Sequence, residues 1–284
     1  MKLYVLSCGR LWVERGFLLH YGTSKDTRKE YVAEALPISN TQYYIDHPEA
    51  KIVFDLGWTL EDFSVLIGFP QRRGPEGVFI KQEPGDNPVA QLEKIGVKID
   101  DIDYVVISHL MLEHAGWLPV FAGKKAQIIV QYKEYEYAQR IGTYNPPAAL
   151  ESALEQFHSW MYFRKHYDIP GLNFKLIEGD VELVKDVTLL HVPGHTPGYQ
   201  VMVVRLPKTG TVVLSACETC RNYYDIPVNG AAPGIPHGVT WFASEELRSI
   251  KRIREFVAKE EGQIFCGHDW DQFITLKHAP EYYE

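Results

Sequence analysis

Long apolar runs are missing from this sequence, and no stretch approaches the roughly 18 residues that a membrane-spanning helix needs. The opening residues 1–6 are typical of a first β-strand. A secretory signal would instead have a longer apolar run and a cleavage site of small residues. We therefore expect a cytoplasmic protein with no membrane partner.

An excess of positive charge is also missing, since 29 Lys and Arg face 37 Asp and Glu, for a formal net charge of −8. Nucleic acids bind basic surfaces, so we expect no nucleic-acid partner. The four cysteines are too few and too scattered for a secreted disulfide framework. With 45% apolar residues and no linker or repeat, the chain of 284 residues is predicted to form a single domain, 1–284, with a sizeable core.

Short apolar segments recur along the chain and predict β-strands. These segments are 1–6, 41–45, 51–55, 104–108, 128–130, 188–192, 201–206, 211–216 and 263–266. Helical spacing predicts helices over 87–96, 133–141 and 244–260, the first with Asn87 as N-cap and Pro88 at its first position. Strands followed by helices, twice over, predict two packed β-sheets with helices outside.

Residues 58–86 are rich in proline and glycine and are predicted to be irregular. Long excursions of this kind often serve as lids or partner-binding arms. Phe69, Phe79 and Ile80 add apolar surface to this segment, which could pack on a second copy of the chain and so form a homodimer.

Four histidines share one context, because each lies in a loop just after a predicted strand. They are His109 and His114 in Ser-His-Leu-Met-Leu-Glu-His-Ala-Gly, His195 in Pro-Gly-His-Thr-Pro-Gly, and His268 in Gly-His-Asp. Loops at strand ends can converge on one edge of a sandwich. Imidazole and carboxylate ligands, the latter from Glu113, suit zinc, iron or manganese.

These three motifs, in this order, resemble the metallo-β-lactamase superfamily, and most closely its N-acyl-homoserine lactonase branch. The resemblance extends from Met1 to about His278. It implies a four-layer αβ/βα sandwich with two metals at its edge and a lactone or cyclic ester as the small-molecule substrate. It also implies that Asp55 orients a metal-binding histidine.

The sequence departs from the family pattern within the metal site. Met111 occupies the position of a second histidine, and Glu113 replaces an aspartate. Cys217, followed by Glu218, occupies the position of the bridging aspartate, and Cys220 that of a tyrosine.

These departures affect the two implied metal positions unequally. One position keeps Glu113, His114 and His268, with a further ligand from Cys217 or Glu218. The other keeps only His109 and His195, since a methionine thioether is a poor ligand for such an ion. We predict one firmly bound zinc, with iron or manganese as alternatives, and a second site that is weak, empty or rebuilt.

Hydrolysis at such a site would use a metal-bound hydroxide that attacks the carbonyl carbon. Glu113 or Glu218 could carry a proton to the leaving alkoxide, and Tyr223 or Tyr224 could replace the missing tyrosine as hydrogen-bond donor. Apolar walls of the substrate pocket are predicted at Met111, Trp117, Phe121 and Trp160.

Two other functions remain open at this stage. An iron-dependent redox or oxygen-using enzyme could use the same fold, because fewer histidines and a thiolate would suit iron. A non-catalytic small-molecule binding protein is the third reading, against which the retained ligands argue. Cys8, Cys220 and Cys266 are interpreted as buried structural residues.

Overall fold

The computed structural model describes residues 1–14, 35–61, 80–142, 161–216 and 240–284. Residues 62–79, which make up most of the predicted irregular excursion, lie outside this part of the chain. No helix within the described ranges combines the length and the apolar character needed to cross a membrane.

The first β-sheet joins the N-terminal strands to the strand that precedes the first histidine loop. Within the described residues its order is β4-β1-β2-β3-β5-β6-β7. Its strands are β1 (Lys2–Glu14), β2 (Ala35–Asp46), β3 (Lys51–Phe54), β4 (Ile80–Lys81), β5 (Tyr104–Val106), β6 (Gln127–Gln131) and β7 (Phe174–Ile177). The β3-β5-β6-β7 part is parallel, so these strands end at one edge.

The second β-sheet carries the other two histidine loops. Within the described residues its order is β12-β11-β10-β9-β8. Its strands are β8 (Val181–Val184), β9 (Val187–His191), β10 (Gln200–Leu206), β11 (Gly210–Ser215) and β12 (Gln263–Cys266). β11 and β12 are parallel neighbours, with Ser215 opposite Cys266.

Helices cover the outer faces of both sheets. They are α1 (Pro88–Lys94), α2 (Leu112–Ala115), α3 (Tyr132–Ile141), α4 (Arg164–Tyr167), α5 (Ala243–Lys259) and α6 (Trp270–Phe273). Helix α1 begins as predicted. The Asn87 side chain accepts the Ala90 N–H at 2.9 Å. Pro88 follows at the first helical position, where a residue without a backbone N–H leaves no donor unpaired.

Alternation along the strands divides the core into two layers. In β3, Ile52 and Phe54 face the second sheet, whereas Val53 packs with the buried residues beneath helices α1 and α3. Side chains alternate between faces of a strand, so a strand with three consecutive buried apolar residues, such as β3, is covered on both sides. Ile250 and Ile253 of α5 close the outer face of the second sheet. The layers therefore follow the predicted αβ/βα order.

Several elements differ from the prediction. The 58–86 segment is not irregular throughout, because Ile80–Lys81 pairs with β1 as an edge strand. Strands β7 and β8 were not predicted, since each has only four residues and no run of consecutive buried residues. Such short edge strands depend on pairing with a neighbour rather than on their own sequence.

Candidate metal centre

Asp55 organises the first histidine loop from the end of β3. Its Oδ1 accepts the Ser108 N–H at 2.7 Å and its Oδ2 accepts the Ser108 hydroxyl at 2.8 Å. The same Oδ2 lies 2.9 Å from His114 Nδ1. Asp55 has a φ of +59°, a left-handed conformation that is uncommon for a residue other than glycine. These contacts hold the backbone in that conformation at the site.

The hydrogen bonds of Ser108 extend this order to His109. The Ser108 hydroxyl lies 3.0 Å from His109 Nδ1, and it donates its own proton to Asp55. It can therefore accept the proton on Nδ1 of His109. With Nδ1 engaged on both His109 and His114, the Nε2 atoms are the ones left to bind a metal.

The second sheet brings two further imidazoles to the same place. His195 follows β9, and its Nε2 lies 3.3 Å from Nε2 of His109. Two Zn–N bonds of about 2.0–2.1 Å in tetrahedral geometry place their nitrogens about 3.3–3.4 Å apart. His268 follows β12, is held through Nδ1 by the Ser39 carbonyl at 2.8 Å, and lies 5.3 Å from His114 between ring centroids.

Glu113 adds a carboxylate to the histidine cluster. Its Oε2 is buried and has no hydrogen-bond partner among the described residues. Burial raises the pKa of this carboxyl group, while the neighbouring His114 opposes that shift. Ligand atoms of His109, Glu113 and His114 lie within 4.8 Å of one another. A buried carboxylate is costly unless a cation compensates it, so these residues fit a divalent metal.

The structure assembles six of the predicted site residues at one edge of the sandwich: Asp55, His109, Glu113, His114, His195 and His268. Other predicted site residues lie outside the described ranges: Trp160, Cys217, Glu218, Cys220, Tyr223 and Tyr224. Strand β11, which leads to Cys217, is described up to Ala216 and runs beside the turn that carries His268.

Two of the predicted pocket walls lie in a hydrophobic cluster. Phe121 has no exposed surface and Met111 is 1% exposed, and both pack in the buried cluster beneath α1 and α3. Their place in the wall of a substrate pocket stays a prediction. Trp117 lines a cleft of ≈ 260 Å³, together with Leu60, Gln82, Glu83, Pro84, Asp86 and Asn87.

Two structural residues at the site had no clear sequence signal. Tyr199 directs its ring edge at His109 and at His195, with centroids 5.5 and 5.7 Å away, and its hydroxyl accepts the Ala216 N–H at 3.0 Å. Glu134 is wholly buried, although the amphipathic pattern of its helix gave it no special role.

The cysteines within the described residues have different states. Cys8 is a free, buried thiol whose pKa burial raises to about 12, which makes it unreactive. Cys266 is also buried, as predicted, but it forms a disulfide bond that the sequence did not predict. Pairing depends on the distance between two cysteines in the fold, which spacing along the chain does not give.

Comparison with known proteins agrees with this geometry. Residues 36–218 match the profile of the metallo-beta-lactamase superfamily. An N-acyl homoserine lactonase from Bacillus sp. is 38% identical over 99% of this chain and 98% of its own length. Another, from Azorhizobium caulinodans, is 30% identical over 85% of this chain and 86% of its own.

A solved structure has the same architecture over nearly the whole chain. It is an N-acyl homoserine lactone hydrolase with the product N-hexanoyl-L-homoserine bound at its catalytic metal centre. The TM-score is 0.75 with 27% sequence identity, covering 99% of this chain and 98% of the other. The match of the profile and the full-length relatives, together with the buried histidine cluster, establish that this chain belongs to the metallo-beta-lactamase superfamily, in its N-acyl homoserine lactonase branch.

Proposed function

We propose that this chain is a metal-dependent hydrolase that opens lactones or cyclic esters. The observation that carries the proposal is the cluster of His109, Glu113 and His114, in which a buried carboxylate oxygen has no partner among the described residues. The curated relatives, named as N-acyl homoserine lactonases, support a lactone as substrate.

One metal ion is proposed to bind firmly, and zinc is the proposed ion. Glu113, His114 and His268 would hold it, with Cys217 or Glu218 as a further ligand. The spacing of His109 and His195 suits a second ion, but the resemblance places Met111 where that ion would need another nitrogen. We therefore propose that this second position is weak, empty or rebuilt.

Different residues of the chain are proposed to serve different steps of hydrolysis. A bound divalent ion lowers the pKa of a water molecule and polarises the substrate carbonyl. Asp55 keeps His114 oriented through the 2.9 Å contact with its Nδ1. Glu113 or Glu218 is proposed to carry a proton to the leaving alkoxide, and Tyr223 to donate a hydrogen bond to the substrate.

The substrate is proposed to extend from the metal towards Trp117. The Trp117 indole donates to the Trp58 carbonyl at 2.8 Å, which fixes the ring beside the ≈ 260 Å³ cleft. An acyl chain or an apolar ring would suit this wall.

We further propose a cytoplasmic location and one domain over 1–284, with the 58–86 segment as a lid or as the contact of a homodimer.

Metal content and lactone hydrolysis, measured on the same preparations, test this proposal. We compare the wild type with His114→Ala, Met111→His and, as a matched control, His47→Ala, whose imidazole contacts the Lys185 carbonyl instead. The substrates are N-acyl homoserine lactones of graded chain length, a simple lactone and an open-chain ester.

The expected result is about one zinc per chain in the wild type, as for a site with one complete ligand set. His114→Ala should lose both metal and lactone hydrolysis, His47→Ala should keep both, and Met111→His should raise the metal content. Wild-type protein without metal, or metal-loaded protein that opens no lactone, would overturn the proposal.

Iron-dependent redox chemistry is the second candidate function. His109, Glu113 and His114 form a set of two histidines and one carboxylate, the composition found in non-haem ferrous sites. Iron as the main metal, together with oxygen consumption and no lactone opening, would favour this candidate over hydrolysis.

A further inference from the structure

Glu134 is a buried carboxylate outside the set of metal ligands. It lies in the first turn of α3, immediately after β6, and has no exposed surface. Its Oε1 accepts the Leu110 N–H at 2.9 Å and the Tyr162 hydroxyl at 2.7 Å. Its Oε2 accepts the Thr196 hydroxyl at 2.6 Å and the Gly198 N–H at 3.2 Å. The two oxygens together therefore take four donors.

Three of these donors belong to the loops that carry metal-binding histidines. Leu110 directly follows His109, while Thr196 directly follows His195. One carboxylate thus connects a loop of the first sheet to a loop of the second. Gly198 allows the close approach, since a Cβ there would lie 2.3 Å from Glu134 Cβ.

The Glu134 carboxylate and its four donors form a hub between the two histidine loops. Four donors around one side chain favour an ionised carboxylate as their acceptor. An ionised carboxylate only accepts hydrogen bonds, and its two oxygens offer about four lone-pair positions. An amide of the same shape would turn an NH₂ group towards one backbone N–H and one hydroxyl. The hydroxyl could reverse its role and accept, but the backbone N–H would lose its acceptor. Hydrogen bonds to a charged acceptor are also stronger than neutral ones, so the hub resists rearrangement.

We propose that Glu134 is a positioning residue of the metal centre, which sets the 3.3 Å spacing of His109 and His195 by holding both loops to α3. The inference rests on the proposed function, because it assigns Glu134 to the same metal centre. Glu134 touches neither metal nor substrate in this role.

Cobalt binding tests the inference without any lactone. Co²⁺ is titrated into metal-free protein, and its affinity is measured by competition with a chelator while the visible absorption of the bound ion is recorded. The variants are Glu134→Gln, which removes the charge, and Thr196→Val, which removes one donor from the His195 loop. Tyr167→Phe is the matched control, because it removes another buried tyrosine hydroxyl bonded to α3, the one that donates to the Ala138 carbonyl at 3.0 Å.

The expected result is a loss of Co²⁺ affinity of about 10–100-fold in Glu134→Gln, the size found for residues that orient metal ligands, with an altered absorption band. Thr196→Val should show a smaller loss in the same direction. Tyr167→Phe should lower the melting temperature yet keep the wild-type affinity and band.

Three results would overturn the inference. Equal affinity losses in Tyr167→Phe and Glu134→Gln would mean that Glu134 only stabilises the fold. Wild-type affinity and band in Glu134→Gln or, if that variant does not fold, in Thr196→Val would remove the positioning role while leaving the proposed function intact. Wild-type protein that binds no Co²⁺ would remove both proposals together.

Discussion

At the scale of single residues, the two carboxylates Asp55 and Glu113 have different surroundings at the site. Asp55 accepts two hydrogen bonds from Ser108 and contacts His114, so it orders both histidines of the first loop. Glu113, by contrast, has a buried oxygen without a partner among the described residues. Orientation and coordination are therefore assigned to different carboxylates.

Asp55→Asn should lower metal affinity by about 10–100-fold, as for other residues that orient a metal-binding histidine. The amide must turn its NH₂ group either towards the Ser108 N–H or towards His114, so one contact is lost in each orientation. Affinity is measured by chelator competition.

Asp103→Asn is the matched control for this change. Asp103 also accepts a backbone N–H, that of Lys51 at 2.9 Å, but at the other end of β3. Asp103→Asn should leave metal affinity unchanged. Equal affinity in Asp55→Asn and the wild type would contradict the assigned role of Asp55.

At the scale of elements, the turn after β3 is shaped by close packing. Gly57 has a φ of +74°, and a Cβ added there would lie 2.3 Å from Cys8 Sγ and 2.6 Å from Gln42 Nε2. Its carbonyl accepts the Gly116 N–H at 3.0 Å, which joins this turn to the first histidine loop. The packing of β1 and β2 thus limits what the turn can contain.

Gly57→Ala should destabilise the protein through both its backbone conformation and overlap with its neighbours. Gly123→Ala separates the two effects, because Gly123 has the same φ of +74° and nothing within 4 Å of an added Cβ. Overpacking costs about 1–3 kcal/mol, so Gly57→Ala should lose that much more than Gly123→Ala in urea unfolding. Equal losses would show that the packing around Gly57 yields easily.

At the scale of the whole molecule, the metal centre joins the two sheets. His109 and His114 follow β5 of the first sheet, while His195 and His268 follow β9 and β12 of the second. A metal held by ligands from both sheets binds the folded state and not the separated strands. Its binding free energy therefore adds to the stability of the fold.

Metal removal should consequently lower the melting temperature. At a free metal concentration 100 times the Kd, binding stabilises the folded state by about 2.7 kcal/mol, and a chelator should abolish this gain. His268→Ala should melt at the same temperature with and without chelator, whereas His47→Ala should respond as the wild type does. A wild-type melting temperature that ignores the chelator would contradict this coupling.

Many elements could be predicted from the sequence because their signals are local. Short continuous apolar runs predicted β3 and β5, and Asn87-Pro88 predicted the start of α1. The histidines at strand ends predicted a metal centre because loops at strand ends can converge on one edge of a sandwich. The structure places those histidines side by side.

Other features depended on contacts between residues far apart in the chain. His109 and His195 are 86 positions apart, and Glu134 and Thr196 are 62 apart, so no local pattern indicates that they meet. The burial of Phe121 and the disulfide of Cys266 likewise depend on tertiary contacts that no local pattern indicates. By itself the sequence determined the periodicity of the elements and the chemistry available at their ends. Only the packing of two sheets decided which of those groups lie within bonding distance, because that distance is set by the rest of the chain.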